Sequence, residues 1–248
     1  MIRSLVFSAL VLLLFLAPPA SADGAFSHAT FNDVVSRFVD AQGRVDYKGI
    51  VADHAALDTY LAAVAADSPT SNAAKFPTKN DRLAYYINAY NAFSIKGVTN
   101  RPGIKSVQAV TLDFFALTRW TMGGSGVTLK VLEDDIRRDF KDPRVHMALN
   151  CQSGGCPRLP QQAFDPAKLD AQLDAAAHEF CTNPAKVYAD AQGVWHISQI
   201  FEWYEKDFEA SGGRVAFIDA HGGTIPSDAK VQIIPYDWTL AAQPGRAP

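Results

Sequence analysis

The segment from Asp142 to Pro157 reads Asp-Pro-Arg-Val-His-Met-Ala-Leu-Asn-Cys-Gln-Ser-Gly-Gly-Cys-Pro, bringing the imidazole of His146 close in sequence to the thiols of Cys151 and Cys156. A thiol becomes a useful nucleophile when a neighbouring base, a positive charge or a helix N-terminus lowers its pKa. This grouping therefore points to cysteine chemistry. The same side chains also have plainer uses. Gly154-Gly155 is flexible enough to close a Cys151–Cys156 disulfide beside a packed histidine. Zinc ligation by His146, Cys151 and Cys156 would want a fourth ligand, and no second ligand pair stands at finger-like spacing. The chain has 3 cysteines, so such a bridge leaves Cys181, near the end of an expected helix, as a buried thiol.

The elements that must position these groups can be read from periodicity. Val145, Met147 and Leu149 alternate with Arg144, His146, Ala148 and Asn150, which predicts a strand that delivers His146 to one face and Cys151 to its exit. Upstream, helical spacing predicts helices over Phe26 to Val39 and Ala55 to Ala65, then a polar linker from Ser68 to Pro77. A third helix opens at Thr78, with Asp81 at capping-box distance. Leu83, Ile87, Tyr90, Ser94 and Val98 form its core stripe, Asn88 and Asn91 lie on the flank, and Tyr85, Ala89 and Lys96 point away. Asparagine is a mediocre helix former. Two so close together serve either a neighbouring backbone or the orientation of an imidazole or a substrate.

Downstream, Gly123-Gly124-Ser125-Gly126 reads as a hairpin turn rather than a lid, and Val131 to Phe140 as a helix with acids early and arginines late. A helix follows Pro166, then a hairpin over Asp190 to Gln192, and an aromatic-rich helix from Ile200 to Phe208 in which Trp203 and Tyr204 are read as core. A last strand runs from Val231 to Pro235. Helices before strands predict an α+β fold, N-terminal helices packed on a mostly antiparallel sheet. The expected organisation is one domain over residues 23–240 with a flexible tail at 241–248.

Residues 1–22 carry the marks of an export leader: Arg3, an uncharged apolar run from Leu5 to Leu16, and Ala20-Ser21-Ala22 before Asp23. That run is shorter than the roughly 20 residues a membrane-spanning helix needs. The expectation is a periplasmic or secreted protein with no membrane association once the leader is removed. Lys and Arg number 23 against 26 Asp and Glu, with no basic block, which argues against nucleic acid as a partner. No dinucleotide, phosphate-loop, zinc-protease or calcium motif is present, so no cofactor or metal is expected. The partner left to expect is a small-molecule or peptide ligand, and oligomeric state is not legible.

Several blocks in one order resemble the domain-of-unknown-function family 547: Ile87-Asn88-Ala89-Tyr90-Asn91-Ala92, then Asp142 to His146 with Asn150-Cys151 and Cys156-Pro157, then Ile200 to Tyr204 with Asp207-Phe208, then Tyr236-Asp237-Trp238. The family looks distantly similar to papain-like and transglutaminase-like cysteine enzymes. The resemblance implies a papain- or transglutaminase-like fold and an acyl-transferring or amide-hydrolysing enzyme for a small peptide or thiol-containing substrate. It implies Cys151, or else Cys156, as nucleophile, His146 as base and Asn88 or Asn91 holding its tautomer. Asn150, Ser153, Gly154, Gly155 and Tyr90 are the expected substrate contacts, with backbone amides of 153–155 stabilising an oxyanion. The competing expectation is an exported binding or redox module carrying a Cys151–Cys156 disulfide. One departure stands out, since relatives tend to carry Ile-Glu-His where this chain has Ile136-Arg137-Arg138.

Overall fold

Apolar residues at helical spacing open the described chain, which is residues 24–248 of a computed structural model. The expected leader, Met1 to Ala22, lies outside the described residues. Helix α1 (Ala29–Phe38) buries Phe31, Val34, Val35 and Phe38 and packs on α3 (Ala55–Ala66). Between them a short α2 (Tyr47–Ala52), not anticipated, is capped by Asp46, whose carboxylate accepts the Gly49 N–H at 2.8 Å.

Helix α4 (Lys79–Thr99) is the centre of this half. The Thr78–Asp81 capping box forms: the Thr78 hydroxyl accepts the Asp81 N–H at 3.1 Å and the Asp81 carboxylate accepts the Thr78 N–H at 2.9 Å. The expected core stripe is buried, but Tyr85 and Ala89 are buried too. The helix has no broad solvent face because α2, α3 and α5 pack around it. Tyr85 donates its hydroxyl hydrogen bonds to the carbonyls of Val64 and Asp67.

Strands β1 (Trp120–Met122) and β2 (Ser125–Val127) form the expected hairpin, with Gly123 and Gly124 supplying the left-handed turn at φ 55° and 80°. Helix α5 (Leu129–Phe140) follows, capped by the Thr128 hydroxyl, which accepts the Val131 N–H at 3.2 Å.

The strand expected over Arg144 to Asn150 is a 3-10 turn, Pro143–Met147. Local chemistry outweighs the alternation here. Asp142 caps the turn by accepting the Arg144 N–H at 3.0 Å, and Pro143 supplies a φ suited to a helical first turn. All of residues 145–150 are buried, so no polar face exists for a two-sided strand to present. Val145, Ala148 and Leu149 enter the large helical core, whereas Met147 enters a second cluster around Phe180, Phe201, Phe208 and Phe217. The turn is thus the seam between two cores.

The second cluster is built by α6 (Leu169–Thr182), β3 (Val187–Ala189), β4 (Trp195–Ser198), α7 (Ile200–Trp203), α8 (Arg214–Ala220) and β5 (Val231–Ile234). The helix expected to run from Ile200 to Phe208 breaks after Trp203 into a 3-10 segment, Glu205–Ser211. β3 and β4 pair antiparallel but β4 and β5 pair parallel, with Ile197 beside Ile233. The class is mixed α and β with small sheets, and the larger sheet is mixed rather than mostly antiparallel. The 241–248 segment, expected to be flexible, is tied down: Val45 N–H donates to the Ala241 carbonyl at 2.9 Å, and Gln243 N–H to the Val45 carbonyl at 3.0 Å.

Asn88 and Asn91 act as clasps from α4 to irregular backbone. Asn88 donates to the Phe164 carbonyl at 2.8 Å and accepts the Phe164 N–H at 2.9 Å. Asn91 donates to the Ala148 carbonyl at 3.0 Å and accepts the Asn150 N–H at 2.9 Å. All of these groups are buried, so losing a clasp strands a buried donor and a buried acceptor. Asn91→Ala should therefore cost about 2–6 kcal/mol at roughly 1–3 kcal/mol per stranded group, read as a lower urea midpoint with unchanged slope. A loss below about 0.5 kcal/mol, the range of neutral surface substitutions, would show that the clasp does not hold the seam.

Candidate active site

The loop from Asn150 to Pro157 is fastened at both ends by one side chain. Asn150 donates to the Pro157 carbonyl at 2.7 Å, and its amide oxygen accepts the Gln152 N–H at 2.7 Å. Gln152 adopts a left-handed φ of 71°, unusual for a residue with a Cβ. Its fully buried amide accepts the Tyr47 hydroxyl at 2.8 Å, which holds that conformation in place. Gly154 and Gly155 are required for a different reason. A Cβ at Gly155 would lie 2.6 Å from the Tyr236 ring, and one at Gly154 2.3 Å from the Asp237 carboxylate. A strap from Tyr236 to Leu240 lies directly on the loop, its carbonyls of Asp237 and Thr239 accepting the N–H groups of Gly155 and Gly154 at 2.7 and 2.8 Å.

Inside this clamp the thiols of Cys151 and Cys156 are free and 3.1 Å apart. The Cys156 sulfur also accepts the Cys151 N–H at 3.1 Å, and the Tyr236 hydroxyl lies 3.1 Å from it and 3.4 Å from Cys151. Burial pushes the Cys156 thiol up, but hydrogen bonds from Cys151, Tyr236 and the backbone outweigh it and bring it from 9.0 to about 7. The Cys151 thiol moves the other way, raised by its hydrogen bond to Cys156 and by burial. The donors around Cys156, the Cys151 N–H among them, favour it as the sulfur that carries negative charge when the coupled pair loses a proton. Burial also raises Tyr236, so it stays a protonated donor.

His146 lies in the wall of the same cleft, a cavity of about 80 Å³ shared with both thiols, Glu133 and aromatic side chains. Its Nε2 is 2.8 Å from an Asp207 carboxylate oxygen that also accepts from Arg137 at 2.6 Å. Hydrogen bonding to His146, reinforced by Arg137, holds the Asp207 carboxyl well below the usual range. The ionised carboxylate makes Nε2 the donor, leaving Nδ1 as the nitrogen able to take a proton. The ring stacks on Tyr204 at 4.0 Å. Tyr204 in turn donates to Glu133, whose other oxygen accepts the Tyr90 hydroxyl at 3.3 Å.

The expected site residues divide accordingly. His146, Cys151, Cys156 and Tyr90 meet at the cleft. Asn88 and Asn91 do not orient the imidazole, because their amides are spent on backbone; Asp207 does that work. Asn150 is a loop staple, and the Gly154 and Gly155 N–H groups expected to stabilise an oxyanion are taken by the strap. Ser153 contributes a hydroxyl 3.5 Å from the Cys151 sulfur. Trp203, expected in the core, is 44% exposed and lines the cleft with Tyr204, Tyr236 and Trp238. Asp207, Glu133 and Tyr236 were missed as site residues, although Asp207 and Tyr236 fall within the resembling blocks. Glu133, one turn before Arg137 on α5, meets the hydroxyls of Tyr90 and Tyr204. Among the described residues no helix is long and apolar enough to cross a membrane.

A family model described as a protein of unknown function, DUF547, matches residues 74–181. The chain is similar to that family over a stretch that contains α4, α5, the 3-10 turn and the whole thiol loop, whereas the blocks around Asp207 and Tyr236 fall beyond it. No curated protein and no solved structure matches the chain.

Two pH dependences follow. Alkylation of Cys156 should be half-maximal near pH 7, and Tyr236→Phe, by removing a donor to the thiolate, should move that midpoint up; peptide mapping after pulsed iodoacetamide labelling checks both, and an unmoved midpoint in the variant would remove Tyr236 from the account. Asp207 has its folded pKa depressed, so its stabilisation is present above the unfolded carboxyl value of about 3.9 and is lost as pH falls through the folded one. The stability gap between wild type and Asp207→Asn should accordingly close on acidification below about pH 4, measured by urea unfolding across pH 3 to 7. A gap that stays constant would contradict the pairing.

Proposed function

We propose that this protein is a thiol-dependent enzyme, exported by its leader to the periplasm or beyond, whose reaction is thiol–disulfide exchange on a small substrate. The observation that carries this reading is the 3.1 Å separation of Cys151 and Cys156, in which Cys156 is the sulfur that accepts the Cys151 N–H. About 1 Å of approach separates the sulfurs from the disulfide bond length of roughly 2.05 Å.

The Cys156 thiolate attacks one sulfur of a substrate disulfide. That S–S bond breaks, the departing sulfur leaves as thiolate, and the other half stays as a mixed disulfide on Cys156. Cys151 gives up its proton to the departing thiolate and attacks the Cys156 sulfur, releasing the second half as a thiolate, which takes a proton from water. Two electrons have passed to the substrate and a Cys151–Cys156 disulfide remains, to be reduced by a small thiol or a protein dithiol. The reversed steps oxidise a substrate thiol pair.

A second reading, acyl transfer from Cys151 with His146 as base, is favoured by the Asp207–His146 pair on the same cleft, an arrangement of the kind used by papain- and transglutaminase-like enzymes. Two features rank it second. The Gly154 and Gly155 amides are committed to the strap, leaving the Ser153 N–H, which faces the Cys156 sulfur, and the Tyr236 hydroxyl as donors beside the thiols. The hydrogen bonds of both sulfurs among the described residues go to one another, to Ser153, to Tyr236 and to the Cys151 N–H, none to His146.

The variant Cys151→Ser separates the readings. Exposed to 2-hydroxyethyl disulfide, it should accumulate a stable mixed disulfide on Cys156, seen by intact mass and mapping, and His146→Asn should retain more than about a tenth of the wild-type exchange rate, a loss under 1.4 kcal/mol. Acyl transfer predicts instead that Cys151→Ser and His146→Asn each abolish turnover of activated esters, with acylation of Cys151 in the wild type. Absence of any Cys156 adduct would sink the exchange mechanism.

A further inference from the structure

Cys156 and Pro157 line a second cleft as well, a cavity of about 360 Å³ whose walls otherwise differ wholly from those of the aromatic one. This second cleft is polar and cationic. Arg44, Arg158 and Lys186 line it, against one acid, Glu179. Arg158 is held by Glu179 at 2.5 Å, and Arg44 by Asp40 at 2.8 Å. Lys186 is different: its ammonium donates to the Gly154 carbonyl at 2.7 Å and has no carboxylate within salt-bridge distance among the described residues. It is anchored on the thiol loop itself, with its ammonium over the Phe180 ring at 5.8 Å.

Placing a lysine here costs desolvation, and burial lowers its pKa. The nearby negative groups, Cys156 foremost and then Asp237, offset that cost only in part. An anion entering the cleft would complete the balance, and no protein carboxylate does so. The carbonyl contact also keeps the ammonium beside the loop, so a bound anion would be held within a few bonds of the reactive sulfur.

We propose that this cationic cleft is the substrate-recognition site and that it takes the carboxylate of a small carboxylate-bearing thiol or disulfide, whose sulfur is then presented to Cys156. The inference rests on the thiol–disulfide reading and supplies its substrate class. Lys186 is the binding group, and Arg44 and Arg158 set the surrounding potential. The aromatic cleft on the other side of the reaction receives the apolar remainder of the substrate.

The test uses three disulfides of similar reach that differ in charge: 3,3′-dithiodipropionate, 2-hydroxyethyl disulfide and cystamine. Their second-order rates with the reduced protein are divided by those of a small reference thiol, which removes intrinsic reactivity. The dianionic disulfide should be favoured over the neutral one by about tenfold or more, the low end of what charge focusing in a cleft gives, and cystamine disfavoured. Added salt should shrink the preference. Lys186→Gln raises the Cys156 pKa and so slows every disulfide, but only loss of the carboxylate contact lowers the anionic-to-neutral ratio. That ratio should fall several-fold, with Arg158→Gln as an independent second variant. A ratio near that of the reference thiol, or one unmoved in Lys186→Gln, overturns the proposal.

Calorimetric binding of the unreactive thioether 3,3′-thiodipropionate keeps the two readings apart. Binding that weakens in Lys186→Gln, with no disulfide reacting at Cys156, supports the cleft and refutes the exchange chemistry. Disulfides that react without charge preference, while the thioether fails to bind, refute the carboxylate site and leave the chemistry standing.

Discussion

The Asn91 carboxamide accepts the Asn150 N–H and donates to the Ala148 carbonyl, and in doing so fixes the point at which the 3-10 turn becomes the thiol loop. On one side of that point the chain must place His146 in the seam between two cores. On the other it must enter a loop whose third residue, Gln152, has a left-handed φ. Neither conformation repeats, so regular secondary structure cannot satisfy the backbone groups between them. A side chain projecting from the most buried helix of the molecule does so instead, and this ties the geometry of the reactive groups to the stability of the helical core.

Within the loop the dominant constraint is electrostatic. A buried thiolate is expensive unless donors surround it. Here they come from four groups: the Cys151 thiol, the Tyr236 hydroxyl and the N–H groups of Ser153 and Cys151. The strap that brings Tyr236 also consumes the Gly154 and Gly155 amides, so one arrangement both stabilises negative charge on sulfur and takes up two of the three loop amides expected to serve an acyl intermediate. The glycines are needed for the close approach of that strap, and only secondarily for flexibility.

Much of the architecture was legible from sequence where local signals agree with packing. The Thr78 capping box, the glycine hairpin at 123–124 and the helical stripes of α1, α3 and α5 all formed where periodicity put them. The failures share a cause. Val145, Met147 and Leu149 alternate as a strand would, but they serve two different cores, and the Asp142-Pro143 start set a helical turn. Alternation reports which positions are apolar, and cannot tell one buried face from two. The candidate site was legible as a cluster of residue types but not in its partners. Asp207, Glu133 and Tyr236 come from separate elements, and a hydrogen bond across 61 positions, as between His146 and Asp207, leaves no periodic trace.

The replacement of Ile-Glu-His by Ile136-Arg137-Arg138 looks, in sequence, like the loss of an acid and a base. In space it is a redistribution. Glu133, one turn earlier on α5, meets the hydroxyls of Tyr90 and Tyr204, while Arg137 pairs with Asp207 and lies over the Tyr204 ring at 4.6 Å. Arg137, Asp207, His146, Tyr204 and Glu133 therefore form one connected set of opposite charges bridged by aromatic rings. Arg137 and the imidazole share one oxygen of the Asp207 carboxylate, so its charge is compensated within the set. The arginine standing where the resemblance led a glutamate to be expected is thus a partner that holds Asp207 beside His146.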